Sequence, residues 1–552
     1  MRISRIDIKN FRSIKELSVN FPERGLFVLV GPNNAGKSNF IRALNVILGD
    51  GWVSGERLED YEFYRRDRDN RIIINIEFDN GRRAIFDSAG KWTKYYDEIE
   101  REIYRSRGDI KKDFPCTHIP AGRSLDTHLQ FRRWALMGKI SHAFHIAAKP
   151  KKDELETKFD EIIDIFDSID EFSRFKNDFI EYFEEMQADT PYKLQIDFKA
   201  FTPNDYFKTI NILAEDPNLK ENFDLDELGE GTRNIVLLSL LRSYAKNFRN
   251  DAQGILAIEE PEIFMHPQAR RHLYQIFKEI TSNSDIQIIL TTHSSSFIDT
   301  EHFDTIGKVY KEPDEYGVPN TKIKLVTRQE LVNFAKQTGV PQNKTTINNI
   351  TEYYRTTSNY RLNEAFFSKS LILVEGETEE LTIPVYLRHL KIDCDLQGIS
   401  IIAVNGKNQI PKYWRMFYTF GIPMLVLIDN DSTPEKVKSN KNIAACFNCS
   451  IEDITDDIDI YKIIDASDGV FTQKVMILEK DFECALKKDW TVLGYGIDTI
   501  EGYERGAKNL IKPIGNQQKG QIARFIANKL TSEHSYAPSF IHEIKSIISD
   551  LK

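Results

Sequence analysis

Leu371-Ile372-Leu373-Val374-Glu375-Gly376-Glu377-Thr378-Glu379 runs from a continuous apolar stretch straight into a cluster of carboxylates. A second junction of the same kind follows at Met424-Leu425-Val426-Leu427-Ile428-Asp429-Asn430-Asp431. Each apolar run is short and unbroken, the pattern of a strand buried on both faces. In open parallel sheets the functional crevice lies outside the carboxyl ends of the strands. Two such ends side by side would gather at least four carboxylates, a donor set for hard divalent cations. Bound divalent cations are one general means of cutting phosphodiesters.

Working outward, Glu379 lies about one helical turn beyond Glu375 and so faces the same way. Asp429 and Asp431 share one face while the chain stays extended. Between the two junctions, Ile401-Ile402-Ala403-Val404-Asn405-Gly406-Lys407 predicts another strand ending in a glycine turn. Further on, Val475-Met476-Ile477-Leu478-Glu479-Lys480-Asp481-Phe482-Glu483 predicts a third strand-end cluster, with Asp481 and Glu483 two apart. Lys519 precedes an apolar helix and is a candidate to meet a scissile phosphate. A single acid in a chain with 29% charged residues is by default a solvated surface group. Three clusters at three strand ends are not explained that way.

Upstream, Gly31-Pro32-Asn33-Asn34-Ala35-Gly36-Lys37-Ser38 fits the phosphate-loop pattern G-x-x-x-x-G-K-[ST]. It follows the buried stretch Leu26 to Val30 and opens a helix in which Phe40, Ile41, Leu44, Ile47 and Leu48 recur at helical spacing. Glycines let backbone N–H groups close around phosphates at a helix N-terminus. Gly31, Asn34, Gly36, Lys37, Ser38 and Asn39 are therefore candidate nucleotide contacts, with Lys37 on the β- and γ-phosphates and Ser38 on Mg²⁺. Gly254-Ile255-Leu256-Ala257-Ile258-Glu259-Glu260-Pro261-Glu262 supplies the partner strand. Glu259 takes the acidic position near Mg²⁺, and Glu260 the position that polarises an attacking water. Ile288 to His293 ends another strand, and His293 is a candidate γ-phosphate sensor.

The chain has 552 residues, too many for one ordinary core. It is 41% apolar, with a net charge of −10 and no run of about 20 apolar residues that could span a bilayer. The N-terminus lacks an apolar signal region, so a cytoplasmic protein is expected, with no membrane partner. The acidic balance gives no basic footprint of its own. Five cysteines (116, 394, 446, 449, 484) include one lone Cys446-Phe447-Asn448-Cys449 with no second pair to complete a zinc site. Residues 71–96 predict an antiparallel meander turned at Asp79-Asn80-Gly81. Residues 152–186 carry a wide aromatic helical stripe, suited either to an internal core or to an inter-subunit surface. Asn320 to about Phe367 reads as a polar join.

The nucleotide pieces, with Asn10-Phe11-Arg12-Ser13, resemble the ABC-type ATPase heads of the SMC/RecF group. In such heads a signature segment closes over the partner's nucleotide, so hydrolysis needs a dimer. Leu228-Gly229-Glu230-Gly231-Thr232-Arg233-Asn234 stands at that place, with Gly229 and Gly231 as expected nucleotide contacts. It departs from the common L-S-G-G-Q form, since Arg233 replaces the glutamine. The E…G…D-x-D order resembles the Toprim fold, and the second glutamate, Glu379, resembles its nuclease branch.

Head followed by nuclease-type Toprim is similar to the OLD (overcoming lysogenisation defect) family, which includes nuclease subunits of Gabija-like and retron-associated antiphage systems. The resemblance implies an α/β chain with an ABC-type head at 1–145 and 223–368, a helical dimerisation insertion at 146–222, and a C-terminal Toprim (Rossmann-like) domain at 369–552. It implies an ATP-binding DNA endonuclease, with two Mg²⁺ or Mn²⁺ ions on Glu375, Glu379, Asp429, Asp431, Asp481 and Glu483 and one with ATP at Ser38. Lys519 would join Glu375 and Asp429 in catalysis, and Glu260 would serve ATP hydrolysis. Expected partners are DNA, a second copy of the chain or a larger homo-oligomer, and a defence component such as a helicase, a reverse transcriptase or an RNA–DNA element. Two other readings stand beside it. One is an ATP-driven DNA clamp with a non-cleaving Toprim platform; the other is a topoisomerase, which needs a tyrosine nucleophile in a domain the sequence does not display.

Overall fold

The computed structural model describes residues 1–49, 53–90, 92–103, 253–263, 265–355, 361–430, 437–450, 452–455, 458–467, 472–511 and 519–551, with only scattered positions between 104 and 252. Most of the helical insertion falls outside the described residues, and so do Glu230 and Asp431.

The described residues form three large sheets and a two-stranded hairpin of Leu213–Asp216 and Glu221–Asp224. The first is an antiparallel meander in which Ile3–Phe11 lies between Ile14–Asn20 and Ile73–Phe78, followed outward by Arg83–Asp87, Lys94–Tyr96 and Glu102–Ile103. Alternation drives it: along Ile73–Phe78 every second residue is buried, which puts Ile74, Ile76 and Phe78 on one face.

The second sheet runs Pro319–Leu325, Ile306–Pro313, Leu26–Val30, Asp285–Thr291, Gln253–Glu259, Cys116–Ile119. Its strands are parallel except for the edge strand Pro319–Leu325. Leu26–Val30 is buried at every position, as an unbroken apolar run in a parallel sheet should be. The helix Lys37–Leu48 starts directly after the phosphate loop, and Phe40, Ile41, Leu44 and Ile47 pack into the core between this sheet and the meander.

The third sheet runs Ile399–Ala403, Ser370–Val374, Met424–Asp429, Gln473–Leu478, Tyr461–Asp465, parallel apart from the last strand. It brings all three apolar runs that end in acids side by side. The helices Glu377–His389, Phe482–Val492, Lys519–His534 and Ser539–Asp550 cover one face through a single core that includes Ile383, Leu486, Ile526 and Ile544.

The polar stretch from Asn320 to Phe367 is not a loose join. It contains the end of an edge strand, the helices Arg328–Gln337 and Ile347–Arg355, and a short 3₁₀ segment. Its polar residues are spent on buried hydrogen bonds: Asn363, 1% exposed, donates to the Ser295 and Ile298 carbonyls at 3.2 and 3.0 Å. Thr338 and its carbonyl receive Arg415 at 2.6 and 2.7 Å. Part of this polar composition therefore serves interior hydrogen bonds. One apolar cluster runs without a break from Leu26 and Leu290 through Leu331 and Phe366 to Leu373 and Val426, so the two parts of the chain share a core.

Candidate functional sites

At the phosphate loop, Gly31 and Gly36 both adopt positive φ, 146° and 112°. A Cβ on Gly31 would sit 2.1 Å from the Val309 carbonyl oxygen, and one on Gly36 would meet the Thr321 hydroxyl at 2.3 Å. Only glycine fits either place. The Thr321 hydroxyl donates to the Ala35 carbonyl at 2.8 Å and lies 2.7 Å from that of Ser13, which also accepts from Asn39 at 2.7 Å. Thus Asn39 is tied into the wall of the loop through Ser13, while Asn34 sits exposed at the loop tip with φ 60°.

Lys37 is buried, and its ammonium donates to the Gly31 and Pro32 carbonyls at 2.8 and 3.1 Å. Burial lowers its pKa to about 8, against the opposing pull of Glu260 and Glu262. Ser38 donates to Glu259 at 2.9 Å, so the loop and the partner strand meet where their sequences predict. Glu259 also lies 2.9 Å from His118 Nε2. Burial works to raise the Glu259 carboxyl, but the hydrogen bonds from His118 and Ser38 outweigh it and hold the group below its ordinary value. Glu260 is held at φ 47°, with its N–H on the Thr291 carbonyl at 2.9 Å, and its carboxylate is 3.8 Å from His293 Nε2. Burial and the Lys37 charge keep His293 below its usual pKa despite Glu260 and Glu262. Gly229 begins a helical turn, its carbonyl accepting from Thr232 and Arg233, and Gly231 lies within that turn.

Three contributors here escaped sequence reasoning. His118 lies in a four-residue strand with no local pattern to flag it. Glu262 was visible as the last acid of Glu259-Glu260-Pro261-Glu262, and it accepts from the Thr292 hydroxyl and the His293 N–H at 2.7 and 2.6 Å. It therefore sets the backbone that carries His293. Thr321, from a distant hairpin, braces the loop.

At the third sheet, the Glu375 carboxylate accepts from the Asp429 N–H at 2.9 Å, bridging two adjacent strand ends. Glu379, in the first turn of its helix, is 6% exposed and accepts from the Gly376 N–H at 3.0 Å. Burial raises the Glu379 carboxyl; two backbone amides oppose this, and the charges of Glu483 and Asp481 push it higher still. The third cluster follows the strand that pairs with Met424–Asp429, on the same edge of the sheet. Asp481 meanwhile caps its helix, accepting from the Cys484 N–H at 2.7 Å.

Lys519 is exposed as the first residue of its helix. A Cβ on the adjoining Gly520 would lie 3.2 Å from the Glu377 carbonyl oxygen, so the start of this helix sits against the Glu375–Glu379 segment. Lys407, which sequence reasoning passed over, is 3% exposed and donates to the Asp429 carbonyl at 2.6 Å. Its only sequence signal was its place after Gly406. The donor set is all oxygen and partly buried, which suits hard divalent cations and not zinc, although no three of the described carboxylates at this sheet lie within 4.8 Å of one another. Cys446, by contrast, is buried against Arg415 at 3.2 Å, and burial pushes its thiol up to about 11, unlike a metal-ligating thiolate.

A family model described as "Overcoming lysogenization defect protein-like, TOPRIM domain" matches residues 366–431. An AAA domain model of the AbiEii toxin, Type IV TA system kind matches residues 26–299. The chain is 23% identical to the OLD nuclease of Thermus scotoductus over 78% of this chain and 82% of that protein. It is 25% identical to the Old nuclease of Escherichia phage P2, covering 78% and 77%. With the endonuclease GajA of a Bacillus cereus strain it shares 22% identity over 79% and 76%. No described helix is long and apolar enough to cross a membrane. The chain thus joins an AAA-type ATPase domain to a TOPRIM domain of the overcoming-lysogenization-defect-like family, with homology to the OLD and GajA nucleases over most of its length.

Proposed function

We propose that the chain is an ATP-binding, divalent-metal-dependent DNA endonuclease whose nucleotide state governs cleavage. The single observation that carries this is the hydrogen bond that joins Glu375 to Asp429 at the ends of adjacent parallel strands, with Glu379 in the next helical turn and Asp481 and Glu483 following the neighbouring strand. These residues, with Asp431, would hold divalent cations, two in number on the analogy of phosphodiesterases. When bound, such ions supply an activated water and neutralise charge on the leaving oxygen.

The chain's own groups do the rest. Lys407 holds the Asp429 carbonyl and fixes the strand end. Lys519 offsets negative charge growing on the phosphate in the transition state. In the head, Lys37 and Ser38 engage phosphates and Mg²⁺, Glu259 orients Ser38, Glu260 polarises water and His293 reads the γ-phosphate. Nucleotide binding acts as a population switch between head arrangements. A homo-oligomer is part of the reading: Ile165 and Ile169 of the insertion are 63% and 43% exposed in the single chain. A role in defence against phage follows by analogy with the GajA relatives, with a helicase, reverse transcriptase or RNA–DNA element as the class of partner.

The test is purified protein with supercoiled plasmid, in Mg²⁺, Mn²⁺ or EDTA, with and without ATP. Nicked or linear product in metal and none in EDTA is expected, with yield changed by ATP. ATP-dependent DNA binding without product would favour a clamp instead.

A further inference from the structure

The head and the C-terminal unit meet around a cavity of about 900 Å³. Its walls are the tip of the phosphate loop (Pro32 to Ala35), the strand from Lys308 to Pro313, the passage Ser368 to Ser370, and the chain's last helical turn. The cavity shares only the outer tip of the phosphate loop with the nucleotide site: Lys37, Ser38, Glu259, Glu375 and Asp429 are absent from its lining. Ser370 and Ile399 begin the strands whose far ends carry or flank the carboxylates, so the cavity lies at the opposite edge of that sheet.

Lys308 sets the chemistry. It is 3% exposed, and its ammonium donates to the Ser368 carbonyl at 3.2 Å. Among the described residues no carboxylate pairs with it. Burial alone brings its pKa down to about 7. An ammonium has three donors, and burying one without a counter-ion is costly unless something repays it. Lys311 and Lys369 line the same cavity, against the one carboxylate of Glu312. The rest of the wall mixes apolar Leu396, Ile399 and Ile548 with polar Asn33, Asn34, Gln397 and Ser549. A volume of this size suits a small organic ligand, and an apolar wall with a few convergent polar groups is the usual make-up of such sites.

We propose that this cavity binds a small molecule bearing a phosphate on an apolar body. Lys308 takes the phosphate with Lys311 and Lys369 beside it, and the body lies against Ile399 and Ile548. The position makes the site a coupling point. Lys308 is paired with Val30 in the sheet, and the Val309 carbonyl presses on Gly31 of the phosphate loop. The other wall belongs to the start of the TOPRIM strands. A ligand here touches both parts of the chain at once. This inference does not depend on the nuclease reading.

The experiment uses the full chain carrying Lys37→Ala, which silences the phosphate loop, and calorimetric titration with phenyl phosphate, inorganic phosphate and phenol. One saturable phenyl phosphate site per chain is expected, with each fragment binding more weakly. Adding Lys308→Met, which keeps the length and removes the charge, should weaken phenyl phosphate by roughly tenfold or more. Adding Ser549→Phe, which fills the cavity and leaves Lys308 in place, should weaken it similarly. No saturable binding to the Lys37→Ala protein overturns the proposal. So does undiminished binding, relative to the Lys37→Ala protein, in either added variant that folds. If Lys308→Met fails to fold, full binding by Ser549→Phe alone overturns it.

Discussion

The two acidic sites of this chain are held in opposite ways. In the head, Glu259 is stabilised as a carboxylate by its neighbours: hydrogen bonds with Ser38 and His118 hold it below its ordinary pKa despite burial. Lys37, the cation meant for phosphates, rests on loop carbonyls. At the TOPRIM sheet Glu379 accepts from a backbone amide and, among the described residues, forms no ion pair, and burial with Glu483 and Asp481 pushes it toward its neutral form. The head site is a closed set of protein hydrogen bonds that a nucleotide must reopen. At the TOPRIM site like charges act on a buried carboxylate, and a divalent cation would relieve Glu379. Like charge at strand ends suits a bound ion, and a hydrogen-bonded set suits a switch.

The largest expected effect tests whether the two are separable. Asp429→Ala should lower DNA cleavage by about a thousandfold or more while ATP affinity is unchanged. A parallel fall in ATP affinity would mean that the sites are one cooperative unit. Next, Lys37→Ala should weaken ATP binding by about a hundredfold and remove any ATP effect on cleavage. If ATP still alters cleavage by that variant as in the parent, the switch lies elsewhere.

A pH titration sharpens the head side. Lys37 has a pKa near 8 without nucleotide, and phosphate favours its charged form. Below about pH 8 the ammonium is already protonated, so binding takes up no proton there. Above it each binding event must take up one, and affinity should fall as pH rises, by up to about tenfold per unit. Titration in buffers of differing ionisation enthalpy reads that uptake directly. The smallest effect is His118→Ala: it should slow ATP turnover a few-fold by loosening Glu259. The same change should leave metal-dependent cleavage in the absence of ATP intact, and a change there would erase the distinction between the sites.

Much of this was legible before the fold. Gly31 to Ser38 announced a phosphate loop because the backbone needs glycine at two places, and both have positive φ. Glu375, Asp429 and Asp481 announced a crevice because apolar runs that end in acids can only place them at strand ends. What stayed hidden was paired across long separations. His118 reaches Glu259 from 141 residues away, and Ser13 meets Thr321 across 308. Lys407 looked like a loop lysine and is buried beneath Asp429. The stretch from Asn320 to Phe367 looked like a linker because side-chain polarity does not say whether a hydrogen bond waits in the interior.

The sequence by itself determined the kind of chemistry at each place, since residue type and local spacing dictate which groups can cradle phosphate and which can hold a hard cation. Only the tertiary structure decided how those groups are balanced and joined: which acid has a partner, which lysine is buried without one, and that a shared core fastens the head to the TOPRIM sheet. Pairings of that kind depend on strand order and sheet packing, which bring together residues that no local pattern relates.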